Sequence, residues 1–314
     1  MLTELTNKDF FKPSSSGSVW IGIIEELQNY ICETLEAADG KAKFIEDKWK
    51  RDEGGGGKTR VMTNGNVFEK GGVNTSIVYG NVTDVMRSQL KINGAKWFAC
   101  GLSLVMHPLN PFVPTVHCNY RMLELSNGRD EVTDRWFGGG TDLTPYYLFE
   151  EDAIHFHQTY KNVCDRFDMS FYPAFKKDCD NYFVNWHRNN ERRGIGGIFY
   201  DYQRPEEDIN FWINFGKACG DAFIPSYLSI VEKRKHMAFT SEHKHWQEIR
   251  RGRYTEFNLV HDRGTLFGLK TNGRTESILV SLPPTVRFEY DYNPLPGGEE
   301  DKLLQVCLHP KDWI

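Results

Sequence analysis

Between positions 115 and 125 the chain alternates two kinds of side chain. Thr115, His117, Asn119 and Arg121 fall on one register, and Val116, Cys118, Tyr120 and Met122 on the other. Residues two apart on a strand share a face, so this spacing predicts a strand with one apolar face and one carrying an imidazole, an amide and a guanidinium. The same arithmetic over 95–107 aligns Ser103, Val105 and His107. Were the two strands neighbours, Ser103, His107, His117, Asn119 and Arg121 would converge on one pocket floor. A merely solvated face is the plainer alternative. Such faces carry Lys and Glu, however, whereas Ser, His, Asn and Arg are the types that read a ligand by hydrogen bonds. The connection 107–114 holds Pro108, Pro111 and Pro114, which fix φ and stiffen the turn that carries His107.

A second constellation is Asp262-Arg263-Gly264, read as lying between strands 254–261 and 265–270, with Asn258, Val260 and Asp262 on one face. A carboxylate beside a guanidinium supplies a base next to a cation, and the arginine suits bidentate capture of a substrate carboxylate. A surface ion pair is the structural alternative. Asn272-Gly273-Arg274 reads as a turn. With Arg121 and Arg263 it brings three guanidiniums near strand ends, which suits a ligand bearing several carboxylates.

Four histidines, His107, His117, His157 and His187, could meet around a divalent metal, although no HxxxH or HExxH pair is present. Hydrogen-bonded core residues or acid–base groups are the alternatives. The glycines at 54–57 followed by Lys58 and Thr59 imitate a phosphate loop, but Asp52 stands where that motif needs glycine, and the residues before it are charged. A flexible loop offering Lys58 or Arg60 to an anion is expected there. Gly138-Gly139-Gly140 has no dinucleotide-binding context, and the segment 136–144 around it reads as a closing element or a structural turn.

The elements that must position these groups follow from periodicity. Trp20, Ile24, Leu27, Ile31 and Leu35 predict an amphipathic helix closed by Asp39-Gly40. Strands are expected at 59–63, 67–69, 73–79, 95–107 and 115–125, with Asn64-Gly65 as a hairpin turn. Helical patterns near 150–166, 174–193, 206–235 and 241–251 alternate with strand-like runs near 195–202, 254–261, 265–270 and 275–282. The simplest account is an α+β single domain over 19–314, a mostly antiparallel sheet covered by helices, behind an extension at 1–18 expected to be mobile.

Composition agrees. The 314 residues include 38 Lys+Arg and 43 Asp+Glu, a net charge of −5, with 39% hydrophobic residues. A chain of this length can bury roughly three quarters of its unfolded surface. The acidic balance argues against nucleic acid as a partner, and no apolar run approaches the roughly 18 to 20 residues of a membrane helix. Seven scattered cysteines without a CxxC pair point to a reducing, cytoplasmic compartment.

Longer strings carry a resemblance. HPLNPFVPTVHCNYR (107–121), WFGGGTDLTPYY (136–147), EEDAIHFH (150–157), HRNNERRGIGGIFYD (187–201) and RGRYTEFNLVHDRGTLFGL (251–269) together resemble oxygen-dependent coproporphyrinogen III oxidase, from about residue 20 to 313. The resemblance implies a flat antiparallel sheet between helices, a homodimer with 254–289 at its interface, and O₂ as co-substrate without an organic cofactor. The implied reaction is oxidative decarboxylation of two propionates of coproporphyrinogen III to vinyl groups, giving protoporphyrinogen IX, CO₂ and peroxide in haem biosynthesis. The implied catalytic residues are His117, Asp262 and Arg263. The implied substrate contacts are Ser103, Asn119, Tyr120, Arg121, Asn272, Gly273 and Arg274. Some members are described with a divalent metal at positions matching His107, His117, His157 and His187, without its being required. His261 stands where many members carry Trp, and Asn272 where some carry Gly, which touches the pocket lining and no charged group. A tetrapyrrole-binding protein without turnover is the alternative from another class, and a histidine-cluster metallohydrolase a third.

Overall fold

The computed structural model describes residues 13–205, 208–270 and 273–314. Helix α1 (Ser15–Asp39) buries Trp20, Ile24, Leu27, Ile31 and Leu35 along one stripe. Ser14 caps it by accepting the Gly17 N–H at 2.9 Å, and Gly40 ends it in the left-handed region at φ 73°. Residues 15–18, expected in the extension, are therefore its first turn, and residues 1–12 lie outside the described part.

The chain then forms a meander. Strands β1 (Ile45–Lys50), β2 (Gly55–Thr63), β3 (Phe68–Asn81), β4 (Lys96–Pro108), β5 (Thr115–Ser126) and β6 (Val132–Thr144) pair antiparallel in sequence order, and β9 (Gly196–Gln203) adds to the β6 edge. Asn64-Gly65 makes the β2–β3 hairpin, and the runs at 67–69 and 73–79 are one strand. Two expectations fail here. The glycine run at 54–57 leads into strand β2, where Lys58 pairs with Glu25 at 3.3 Å and Arg60 with Glu46 at 2.8 Å, so neither is offered to an anion. Residues 136–144, with Gly138-Gly139-Gly140, belong to β6 and are paired strand, not a turn or a loop that could close; glycines lack the side chains that give a strand its signal.

Register sorts the strands into two faces. Val73, Leu104, Cys118, Thr141 and Ile198 are successive partners across β3, β4, β5, β6 and β9, all buried. One residue along, Asn74, Ser103, Asn119, Gly140 and Phe199 form the row of the opposite face. The apolar face packs with α1, α3 (Glu150–Asp165), α5 (Ile209–Asp221) and α6 (Phe223–Arg234) in the main core. The polar face is partly covered by α7 (Ser241–Val260), α8 (Arg263–Lys270) and α9 (Thr275–Leu279), and near one end by α2 (Asp84–Leu90), whose Met86 packs with Leu125 and Trp136. Helices thus flank both faces, as expected of the α+β reading.

The second half corrects the sequence reading in several places. Residues 254–261, 265–270 and 275–282, expected as strands, hold the last turns of α7, most of α8 and the short α9. Aromatic and β-branched residues such as Tyr254, Thr255, Phe257 and Val260 raise strand propensity. Buried Trp246, Arg250, Tyr254, Phe257 and Asn258 nevertheless keep one helical stripe against the protein, and packing overrides propensity. The expected helix 174–193 is α4 (Phe171–Tyr182) followed by the two-stranded ribbon β7 (Val184–Asn185) and β8 (Glu191–Arg192), and 206–235 divides into α5 and α6. The last helix is α10 (Glu299–Leu308). All seven cysteines are buried and free.

Candidate active site

The polar face of β3 to β6 floors a cleft of about 210 Å³, lined by Asn74, Ser76, Gly101, Ser103, Asn119 and Arg121, with Ala99, Leu123 and Trp136 toward the α2 end. Side chains on this floor are short except for Arg121 and, at the α2 end, Leu123 and Trp136. Gly138, its partner on β6, explains how that side chain lies across the sheet: a Cβ there would stand 2.9 Å from Arg121 Nη2 and 2.7 Å from Asp201 Oδ1. Glycine leaves room for the Arg121–Asp201 ion pair at 2.9 Å, and Arg121 also donates to Asn119 Oδ1 at 2.7 Å.

His117 sits two residues along, opposite Asp142 on β6, with Nδ1 2.7 Å from Asp142 Oδ1. Asp142 also accepts two bonds from Arg193 Nη2, at 2.9 and 2.7 Å, and Arg193 donates to Asn258 on α7 at 2.8 Å. The Arg193 guanidinium is buried over the rings of Phe183, Tyr254 and Phe257. Burial alone would raise the Asp142 carboxyl, but the Arg193 charge and the His117 hydrogen bond outweigh it and hold Asp142 below the usual carboxylate range. An ionised Asp142 can only accept, so His117 carries its proton on Nδ1, and among the described residues no hydrogen bond engages Nε2.

Asp262 and Arg263 lie at a helix start and not at a strand end. Asp262 Oδ2 caps α8 by accepting the Thr265 N–H at 2.7 Å, and its Oδ1 accepts the Tyr182 hydroxyl at 2.8 Å. Burial first, and then the charge of Asp262, push the Tyr182 hydroxyl upward in pKa. The Tyr182 ring stacks on Phe199 at 4.4 Å, and Arg263 rests over it at 4.7 Å with Nη2 3.6 Å from Asp201 Oδ2. Arg121 and Arg263, far apart in sequence, therefore share one carboxylate. Arg274, at the N-cap of α9, pairs with Asp47 on β1 at 2.5 Å and donates to Ser277 Oγ at 3.2 Å. Ser277 in turn touches the floor, its carbonyl accepting from Asn74 at 3.0 Å and its hydroxyl 2.8 Å from Thr59. Gly273 donates to the Gly268 carbonyl at 2.8 Å, and Asn272 lies outside the described residues. Strands are spaced about 4.8 Å apart, so cations anchored over β1 and over β5 flank the floor roughly 19 Å apart.

Not every expected residue is here. Tyr120 points to the opposite face, where its hydroxyl meets Thr141 and the Cys219 carbonyl, so its side chain cannot line the cleft. The four histidines do not gather into a metal site. His107 is buried between Thr115 Oγ1 and the Ser281 carbonyl, at 3.1 and 2.8 Å. His157 bridges Tyr172 and the Ile195 carbonyl, at 2.9 and 3.1 Å, with burial lowering its pKa to about 3. His187 contacts His261 and Glu256, at 2.8 and 2.9 Å, and His117 is held by Asp142. Among the described residues no three His, Cys, Asp or Glu stand together as metal ligands. Conversely, Asp142, Arg193, Asp201, Asn74 and Tyr182 belong to the site but were not singled out from sequence. Asp142 and Asn74 share a row with His117 and Ser103 once register is known. Nothing local marks Arg193 or Tyr182.

A family model described as Coproporphyrinogen III oxidase matches residues 21–313. The chain belongs to this family. It is 51% identical over 326 residues, 99% of this chain and 84% of the other, to Coproporphyrinogen-III oxidase 1, chloroplastic, of Arabidopsis thaliana. To the Oxygen-dependent coproporphyrinogen-III oxidase, chloroplastic, of Glycine max it is 53% identical over 93% of this chain and 78% of that one. To the Oxygen-dependent coproporphyrinogen-III oxidase of Prochlorococcus marinus strain NATL1A it is 47% identical over 93% and 89%. No helix among the described residues is long and apolar enough to cross a membrane.

Proposed function

We propose that this member of the family is an oxygen-dependent coproporphyrinogen III oxidase, converting the ring A and ring B propionates to vinyl groups in haem biosynthesis. Each step balances as R–CH₂CH₂–COOH + O₂ → R–CH=CH₂ + CO₂ + H₂O₂: the propionate loses a hydrogen and CO₂, and O₂ takes two electrons. The observation that carries this reading is the floor itself. Its short polar side chains leave open room above the sheet for a bulky macrocycle, and guanidiniums flank it to take carboxylates.

In this reading Arg121, Arg263 and Arg274 anchor carboxylates, while Ser103, Asn119, Asn272 and Gly273 fix the edge of the ring. Asp262 accepts the pyrrole N–H proton, so that an electron-rich ring can donate electrons to O₂ without an organic cofactor. Its two hydrogen bonds, from Tyr182 and the Thr265 N–H, support this role by holding the carboxylate in one place. His117, in a fixed tautomer, moves protons within the cleft. Seven buried, free thiols support a reducing compartment such as the cytoplasm. Leu259, Val260, Leu269 and Phe288, exposed within 254–289, support a homodimer through that segment.

Purified, chelator-treated protein is incubated with coproporphyrinogen III with and without oxygen, and products are read by chromatography. Vinyl products only in the presence of O₂ are expected. Binding without turnover under any condition would replace the oxidase by a tetrapyrrole carrier.

A further inference from the structure

Asp201 is a carboxylate paired with two arginines proposed above to receive carboxylates, and its backbone is built to put it there. The pairing of β6 with β9 shifts register between Phe137 and Gly139, opposite Asp201 and Tyr202, and Tyr202 takes φ 53°. A bulky residue in the left-handed region is a strained outlier, and bulges recur where a side chain is re-aimed beside a site. Asp201 Oδ1 accepts the Tyr202 N–H at 3.0 Å, which fixes the bend.

We propose that Asp201 is a resident counter-carboxylate: it holds Arg121 and Arg263 as a preformed clamp in the free enzyme and yields Arg263 when a ligand carboxylate arrives. This deepens the tetrapyrrole reading above and rests on it. The two arginines are held unequally. Arg121 lies 2.9 Å from Asp201 and is tied also to Asn119, whereas Arg263 lies 3.6 Å away, on an aromatic ring, with its side chain 57% exposed. Arg263 is therefore the partner that leaves. An internal carboxylate keeps both guanidiniums oriented, yet every ligand must compete with it, so Asp201 weakens carboxylate binding while organising it. A macrocycle that has lost carboxylates competes less well, which favours release of product over substrate. Arg274 and Asp47 repeat the arrangement at the other end of the floor.

The test is equilibrium binding, by quenching of tryptophan fluorescence, of coproporphyrin III, the oxidised tetracarboxylate that cannot turn over, to full-length wild type, Asp201→Asn and Asp201→Ser. Asn and Ser keep an acceptor for the Tyr202 N–H but remove the charge. Both variants are expected to bind roughly fivefold more tightly, the ratio that about 1 kcal/mol produces, and to show stronger product inhibition at lower KM. Loss of a purely structural residue would weaken binding, so unchanged or weaker affinity in both folded variants overturns the assignment. Absence of coproporphyrin III binding by the wild type would instead overturn the reading of the cleft itself.

Discussion

The two faces of the central sheet are made by the same strands one residue out of phase, and they solve opposite problems. On the apolar face Val73, Leu104, Cys118 and Ile198 interlock with α1, α3, α5 and α6, and even tyrosines such as Tyr120 and Tyr200 are buried. On the other face the row beside it holds Asn74, Ser103, Asn119 and Gly140, too short to fill space. Burying apolar area stabilises at about 25 cal/mol per Å², so the first face carries stability. The second leaves its polar groups for a ligand. In the function proposed above, catalysis and folding are thus separated by parity, and a substitution should act on one and spare the other.

The largest effect is expected from Asp262→Ala. Turnover should fall by at least about 100-fold, the usual contribution of a positioned acid–base group, with KM within about twofold; turnover near wild type would remove Asp262 from its role as base. Neighbouring glycines give the sharpest comparison. Gly139→Ala puts a Cβ 2.7 Å from the Tyr120 ring and the Tyr200 hydroxyl, and overpacking of that kind should lower stability by about 2–3 kcal/mol in denaturant titrations. Gly138→Ala meets Arg121 and Asp201 on the cleft side and should raise KM with little change in melting temperature. If both glycines act alike, the separation of the faces fails.

Acid tests the helix layer behind the apolar face. His157 has its pKa lowered from 6.5 to about 3, chiefly by burial. Below about pH 6.5 the unfolded chain takes a proton that the folded chain refuses, so stability falls with pH by roughly 1.4 kcal/mol per unit until the folded group titrates. His157→Gln should flatten the pH dependence of Tm between about pH 6 and 4, while leaving the pH profile of kcat unmoved. A changed kcat profile would place His157 in catalysis. The smallest effect is expected of Arg274→Ala, about a fivefold rise in KM at unchanged kcat, read from initial rates.

Parity made much of this readable in advance. The alternation at 115–125 placed His117, Asn119 and Arg121 together, and the register then set Ser103 opposite Asn119. The polar row was legible because strand period is local. Asp142 and Arg193 were not, since their meaning lies in a neighbour on another element. Residues 254–261 misled for a related reason: their composition favours a strand, but the stripe that faces Arg193 and the sheet repeats with helical spacing. Asp262, expected at a strand end, is instead fixed by a helix cap and a tyrosine hydroxyl.

An enzyme that releases hydrogen peroxide works beside its own oxidant. The attacking form of cysteine is the thiolate, and burial works against it at every position. Cys32 and Cys164 are pushed up to about 12, Cys307 to about 11, and Cys100, Cys118, Cys179 and Cys219 well above the usual thiol range. Sealed in the core, these thiols stay protonated at neutral pH and out of reach of solvent. The packing that stabilises the sheet therefore also shields these thiols from the enzyme's own by-product.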